Sequence, residues 1–257
     1  MSGDSVLSRF RLDGKVAIVT GVGPAMGRDF ALALAEAGAD VCVSARSRAV
    51  IDDVAAEIEA MGRRALALTV DATNRVEIDA MVAQTVEELG SLDVMCNHAG
   101  SGAPKLTLLE TSDEEWEASL ALTLNSVVYG TRAAARAMIA QGQGGAIVNT
   151  SSICSVGMVP NMVGYSTAKA AVNHFTRFMA VELAPHGIRV NALLPGTFAV
   201  QNVAPEVKSW LDSVTPMGRP GAPEEIAPAL LYLVSDASSY VTGETLVLTG
   251  GGFVSGA

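Results

Sequence analysis

Charge is scarce in this 257-residue chain: Asp, Glu, Lys and Arg together make up 17% of it, and the net charge is −10. No basic run is longer than the pair Arg63-Arg64. Nothing therefore offers the stripe of cations that phosphate neutralisation needs, and nucleic acid is not an expected partner. The first fifteen residues mix charges and lack the apolar centre of a signal peptide, so a cytoplasmic location is expected. The longest charge-free run, 137–168, is interrupted by Gln, Gly, Asn, Ser and Pro and does not suit a spanning helix, so no membrane association is expected. Three cysteines, Cys42, Cys96 and Cys154, make an odd number without CxxC spacing. They are expected to be small buried hydrophobes in a reducing compartment, and without a clustered His/Asp/Glu set no metal site is expected.

Hydrophobic residues, by contrast, reach 49%, and they are patterned. Short β-rich runs at 16–20, 41–45, 65–70, 93–97, 145–150, 188–194 and 245–249 alternate with helix-length amphipathic segments. This is the pattern of βαβ units, and it predicts a single α/β domain built on a doubly wound, parallel, seven-stranded sheet with helices on both faces. Val50, Val54, Ile58 and Met61 mark one expected helical face, ending at Gly62, and the next helix runs from about Asn74 to Gly90. Ser112 and Glu115 have capping-box spacing, so one long helix is expected from there through Asn125 towards Ala140. The irregular segment 195–223 holds most of the late prolines and reads as a substrate lid.

Two local patterns carry chemistry. After the first strand, "TGVGPAMG" (20–27) lets backbone N–H groups and a helix N-terminus approach a pyrophosphate. Further on, "GYSTAK" (164–169) stacks Tyr165 and Lys169 on one helical face. A cation about 4 Å from a phenol, at an effective dielectric of about 20, stabilises phenolate by about 4 kcal/mol, an upper bound of roughly three pKa units. A phenol tuned down in this way is expected.

Taken in order, the motifs resemble those of the short-chain dehydrogenase/reductase family over nearly the whole chain. Thr20, Gly21 and Gly27 fit its TGxxxGxG turn, with Ala25 at the middle glycine. "NHAG" (97–100) resembles NNAG, "VNTSS" (148–152) precedes "YSTAK" with Ser152 thirteen residues before Tyr165, and "RVNALLPG" (189–196) and "YVTGETLVLTGG" (240–251) follow. The resemblance implies a Rossmann-like fold, hydride transfer between a nicotinamide cofactor and a carbonyl or alcohol substrate, and a homotetramer. It implies catalytic roles for Asn125, Ser152, Tyr165 and Lys169, with Tyr165 as general acid/base. It also implies cofactor contacts at Gly21, Ala25, Met26 and Gly27, at Arg46, at Asp71 and Ala72, at Asn97, Ala99 and Gly100, and at Pro195, Gly196 and Phe198, besides Tyr165 and Lys169.

Ala45 stands where an NAD-binding relative carries an acid, and Arg46 and Arg48 follow, which favours the 2′-phosphate of NADP(H) while leaving NAD(H) possible. His98 is read as supporting the sheet. Ile153, Met158, Val159, Phe198 and the segment Val203, Val207, Trp210, Leu211 and Val214 suggest a small-to-medium, mostly apolar substrate. Two alternatives stay open: NAD-dependent alcohol oxidation, and a silent dinucleotide-binding sensor or scaffold. The second is motivated by Ala25, Val200 and Thr249, where the chain departs from the family pattern.

Overall fold

The computed structural model describes residues 5–100, 106–157, 159–199 and 205–252. Its strands are β1 (Val16–Thr20), β2 (Asp40–Ala45), β3 (Ala65–Thr69), β4 (Val94–Asn97), β5 (Gly145–Thr150), β6 (Ile188–Pro195) and β7 (Thr245–Leu248). They form one sheet in the order β3-β2-β1-β4-β5-β6-β7, with every pairing parallel. The chain moves outward from β1 to β3, then returns to place β4 on the other side of β1. That reversal opens a crevice at the carboxyl ends of β1 and β4.

Each strand lies within one residue of its expected bounds because a sheet covered on both faces demands continuous apolar sequence. β1, at the centre, is buried at every position, whereas the edge strands β3 and β7 are only partly covered. Successive β1 residues point to opposite faces. Ala17 and Val19 join Phe30 and Leu34 of α1 (Met26–Glu36), Ile51 of α2 (Arg48–Ala60) and Leu230 of α8 (Ala227–Val234). Val16 and Ile18 join Ile78 and Met81 of α3 (Arg75–Leu89) and Leu183 of α6 (Val163–Leu183) on the other face.

Two helices differ from expectation. In α2 the buried stripe is Ile51, Val54 and Ile58, while Val50 is half-buried and Met61 is exposed. At 100° per residue Ile51 lines up with Val54 and Ile58 better than Val50 does. Gly62, at φ +77°, does end that segment. The long helix beginning at Ser112 is broken: the capping box is present and α4 runs Asp113–Leu120, but a π turn, Ala121–Asn125, separates it from α5 (Ser126–Gln141). The wide turn closes when Ser126 N donates to Ala121 O, and the Ser126 hydroxyl donates to Leu122 O at 2.6 Å. Single π turns inside α-helices recur at functional sites, and this one ends on Asn125.

Candidate active site

The glycine turn is shaped by close approaches. Gly21 has φ +70°, and a Cβ on it would lie 2.5 Å from the Ala99 Cα. One on Gly27 would lie 2.8 Å from Gly21 O and 3.1 Å from the His98 ring. The Thr20 hydroxyl accepts from the backbone N–H groups of His98 and Ala99 at 3.1 and 3.2 Å, fastening the turn after β4 to the turn after β1. Ala25 has φ −123°, so the backbone there does not call for a glycine. Met26 opens α1 and packs on the core.

Beyond this turn lies a cleft of about 260 Å3 whose lining includes Gly21, Arg46, Asp71, Ala72, Ala99 and Gly100. Arg48 forms an ion pair with Asp52 at 2.8 Å. Arg46 is exposed at the cleft and makes no ion pair among the described residues. Asp71 accepts from Thr73 N and Oγ1 at 2.9 and 2.8 Å, and these bonds hold its carboxyl below the usual range, with a smaller contribution from the Arg46 charge.

Helix α6 carries Tyr165 and Lys169, and the π turn packs against α6. Lys169 is 2% exposed; its Nζ donates to Thr150 O at 2.6 Å and would lie 3.5 Å from a Cβ on Gly100. Ser152 follows β5 and caps a short 3-10 turn, Ile153–Ser155, where its Oγ accepts from Cys154 N at 3.2 Å. Its hydroxyl lies near enough to Tyr165 to draw the phenol's pKa down. The neighbouring serines are committed to backbone carbonyls, Ser151 to Lys169 O and Ser155 to Ser152 O. Of the three, Ser152 is the serine that meets the phenol.

The electrostatics depart from expectation. Burial raises the Tyr165 phenol above its ordinary value, and only the Ser152 hydroxyl draws it back. Lys169 is pushed down to about 8 by its own burial. Its Nζ lies 5.6 Å from the centre of the Tyr165 ring, over the ring itself. An amine that has lost its charge before the phenol ionises cannot lower the phenol by the amount the simple Coulomb figure implies.

Three residues expected to contact the cofactor have packing partners of their own. The Asn97 side chain turns into the core, donating to Thr131 Oγ1 and Asn149 Oδ1 at 3.1 and 2.9 Å, because it ends a fully buried strand. Gly196 packs on β7, where its Cβ would lie 2.8 Å from the Thr249 Cα, after Pro195 closes β6. Phe198 covers Gly221 and lines a separate cavity of about 520 Å3 beside β7, with Met217 and Arg219. Met158, Val200, Val203 and the side chain of Val207 lie outside the described residues. His98 braces the turn: Nδ1 lies 3.2 Å from Thr150 Oγ1, the ring packs edge-on against Phe30, and burial pushes its pKa down to about 4. The Thr150 carbonyl, which holds Lys169, carried no sequence signal, since every residue has one. Leu122 lines this cleft from the π turn, which no residue type announces.

The family model described as Enoyl-(Acyl carrier protein) reductase matches residues 21–252. An uncharacterized oxidoreductase of Mycobacterium tuberculosis is 39% identical over 96% of this chain and 95% of its own length. A 2-dehydro-3-deoxy-D-gluconate 5-dehydrogenase of Escherichia coli is 37% identical over 96% and 98%. Among solved structures, a short-chain type dehydrogenase/reductase from Mycobacterium marinum superposes with a TM-score of 0.92 at 40% identity, covering 96% of this chain and 99% of that one. A gluconate 5-dehydrogenase from Burkholderia cenocepacia, in complex with NADP and tartrate, gives 0.91 at 32% identity, covering 97% and 99%. A 7 alpha-hydroxysteroid dehydrogenase, complexed with NADH and a 7-oxo bile acid, gives 0.91 at 34% identity, covering 96% and 97%.

Proposed function

This chain belongs to the short-chain dehydrogenase/reductase family, and from that premise we propose that it is an NADP(H)-dependent oxidoreductase interconverting a ketone or aldehyde and an alcohol. The observation that carries the reading is the junction of one crevice with two halves. Gly21, which admits no Cβ, and Arg46, which makes no ion pair among the described residues, line one half. A buried serine and amine and a half-buried phenol meet in the other.

The residues fit a dinucleotide. Gly21 and Gly27 leave the space a pyrophosphate needs, Asp71 and Ala72 flank the adenine end, and Arg46 is free to take the 2′-phosphate bidentately. Lys169 reaches the nicotinamide ribose. A bound nicotinamide cofactor supplies or takes the hydride.

Ser152 donates to the substrate oxygen, and Tyr165 gives that oxygen its proton as negative charge develops on it. A phenol kept neutral is available as the acid in the reduction direction. Lys169, still largely charged at pH 7, stabilises the phenolate left behind. Asn125, at the end of the π turn, holds a water that returns the proton.

The substrate is small to medium and mostly apolar. In support, Trp210 on α7 (Pro205–Val214) is 60% exposed and so is not a core residue. Segment 195–223 acts as the lid. The protein is a cytoplasmic homotetramer in this reading, and the exposed Phe178 and Val181 on α6 are apolar surface that subunit contact would cover.

The test mixes the purified protein with NADPH or NADH and a panel holding cyclic ketones, medium-chain ketones, aldehydes and a keto sugar acid, following cofactor absorbance. Turnover of an apolar ketone with NADPH preferred is expected. Tight cofactor binding with no turnover on any member would favour a sensor or scaffold instead.

A further inference from the structure

Tyr165 and Lys169 are four residues apart on α6, and the next residue on that face is Asn173. It is 7% exposed, and its Nδ2 donates to Ser155 Oγ at 2.7 Å. The Ser155 hydroxyl in turn donates to Ser152 O at 2.6 Å. Ser155 has one hydroxyl hydrogen, and that hydrogen goes to Ser152, so its oxygen can only accept from Asn173. The polarity of the relay is thereby fixed, and it turns Asn173 Oδ1 away from Ser155, where it is buried with no hydrogen-bond partner among the described residues. Ser152 itself caps the 3-10 turn that contains Ser155, so the relay clamps the backbone whose rotation aims the Ser152 hydroxyl.

We infer that Asn173 and Ser155 are positioning residues that hold Ser152 against Tyr165, making one helical face responsible for the phenol, the amine and the aim of the serine. The inference rests on the proposed role of Ser152. It adds that the serine's direction is set by hydrogen-bond polarity from α6, beyond the packing of its own loop. Neither residue touches the substrate oxygen; each acts through Ser152. Misplacement of a reacting group by about 1 Å can cost on the order of a hundredfold in rate, so loosening this clamp moves turnover while leaving the cofactor cleft intact.

The experiment compares Ser155→Ala, Ser155→Thr, Asn173→Asp, Ser152→Ala and the pair Ser152→Ala/Ser155→Ala. Readouts are kcat with the fastest ketone of the panel, NADPH affinity by fluorescence, and thermal melting. Asn173→Asp is nearly isosteric but reverses the polarity: its carboxylate takes the Ser155 hydrogen and leaves Ser152 O held by the Ser155 backbone N–H alone. Ser155→Ala and Asn173→Asp are expected to lower kcat by between about tenfold and a hundredfold with NADPH affinity unchanged. Ser155→Thr is expected to restore it, and Ser155→Ala to cost nothing further once Ser152 is Ala.

Wild-type kcat in Ser155→Ala overturns the inference, as does a fall in NADPH affinity and melting temperature parallel to that in kcat. Wild-type kcat in Ser152→Ala instead marks the failure of the serine's proposed role, and the inference falls with it. Crystal structures of the wild type and Ser155→Ala give a readout without substrate: the Ser152 Oγ is expected to leave Tyr165 in the variant, and an unmoved Oγ contradicts the clamp.

Discussion

On the flank built by β1 to β5, the crevice is shaped by backbone: Gly21 lies against the Ala99 Cα, the Thr20 hydroxyl bridges two amides, and Lys169 holds a carbonyl. On the flank built by β6 and β7, the surface is made of side chains, with Phe198 over Gly221 and an exposed Trp210. Backbone approaches leave little freedom to change, which suits a ligand of fixed shape such as a dinucleotide. A surface of apolar side chains can be repacked by substitution without disturbing the sheet, which suits a substrate that varies among relatives.

The sharpest way to break this comparison is at the glycines. Gly21→Ala meets both a left-handed backbone and a backbone clash, and is expected to cost about 2–4 kcal/mol in urea unfolding. Gly23→Ala, where nothing lies within 4 Å of the added Cβ, is expected to be close to neutral, and equal costs would contradict the role given to close approach. Next in size, Arg46→Ala is expected to weaken NADPH binding by about tenfold to a hundredfold, the range of a lost charged hydrogen bond, and to leave NADH binding unchanged. Titration with both cofactors reads the difference.

On the other flank, Trp210→Ala is expected to raise KM for an apolar ketone several-fold while cofactor affinity holds, which steady-state kinetics would show. A stability test concerns His98. Its folded pKa of about 4 lies below its ordinary 6.5, so the unfolded chain binds the extra proton first as pH falls. The stability it contributes is complete above pH 6.5 and is lost between pH 6.5 and 4. His98→Asn is expected to flatten that window in urea melts at pH 7, 5.5 and 4.5; an unchanged slope would place the proton elsewhere.

The sheet was legible because each strand had to be apolar along its whole length, and Gly62 and Gly90 stop their helices in the left-handed conformation expected of them. The side chains gathered around Tyr165 were legible through helical spacing and the interval to Ser152. What was not legible depends on three-dimensional neighbours. The π turn at Ala121–Asn125 carries no proline or glycine to announce it. Phe198 follows the expected loop but is drawn to Gly221 by a backbone bridge and lines a second cavity. The order of the phenol and amine pKa values depends on burial, and spacing along a helix says nothing about how deeply its face is covered.

The central claim is that Tyr165 donates the proton in a crevice that binds the dinucleotide independently of it. Single-turnover reduction of the best ketone by NADPH, measured for the wild type and Tyr165→Phe with cofactor affinity determined on the same preparations, tests it most directly. The account predicts unchanged affinity and a rate lower by about 10²–10⁴-fold. A Tyr165→Phe enzyme that binds NADPH normally and reduces the ketone at the wild-type rate would contradict it.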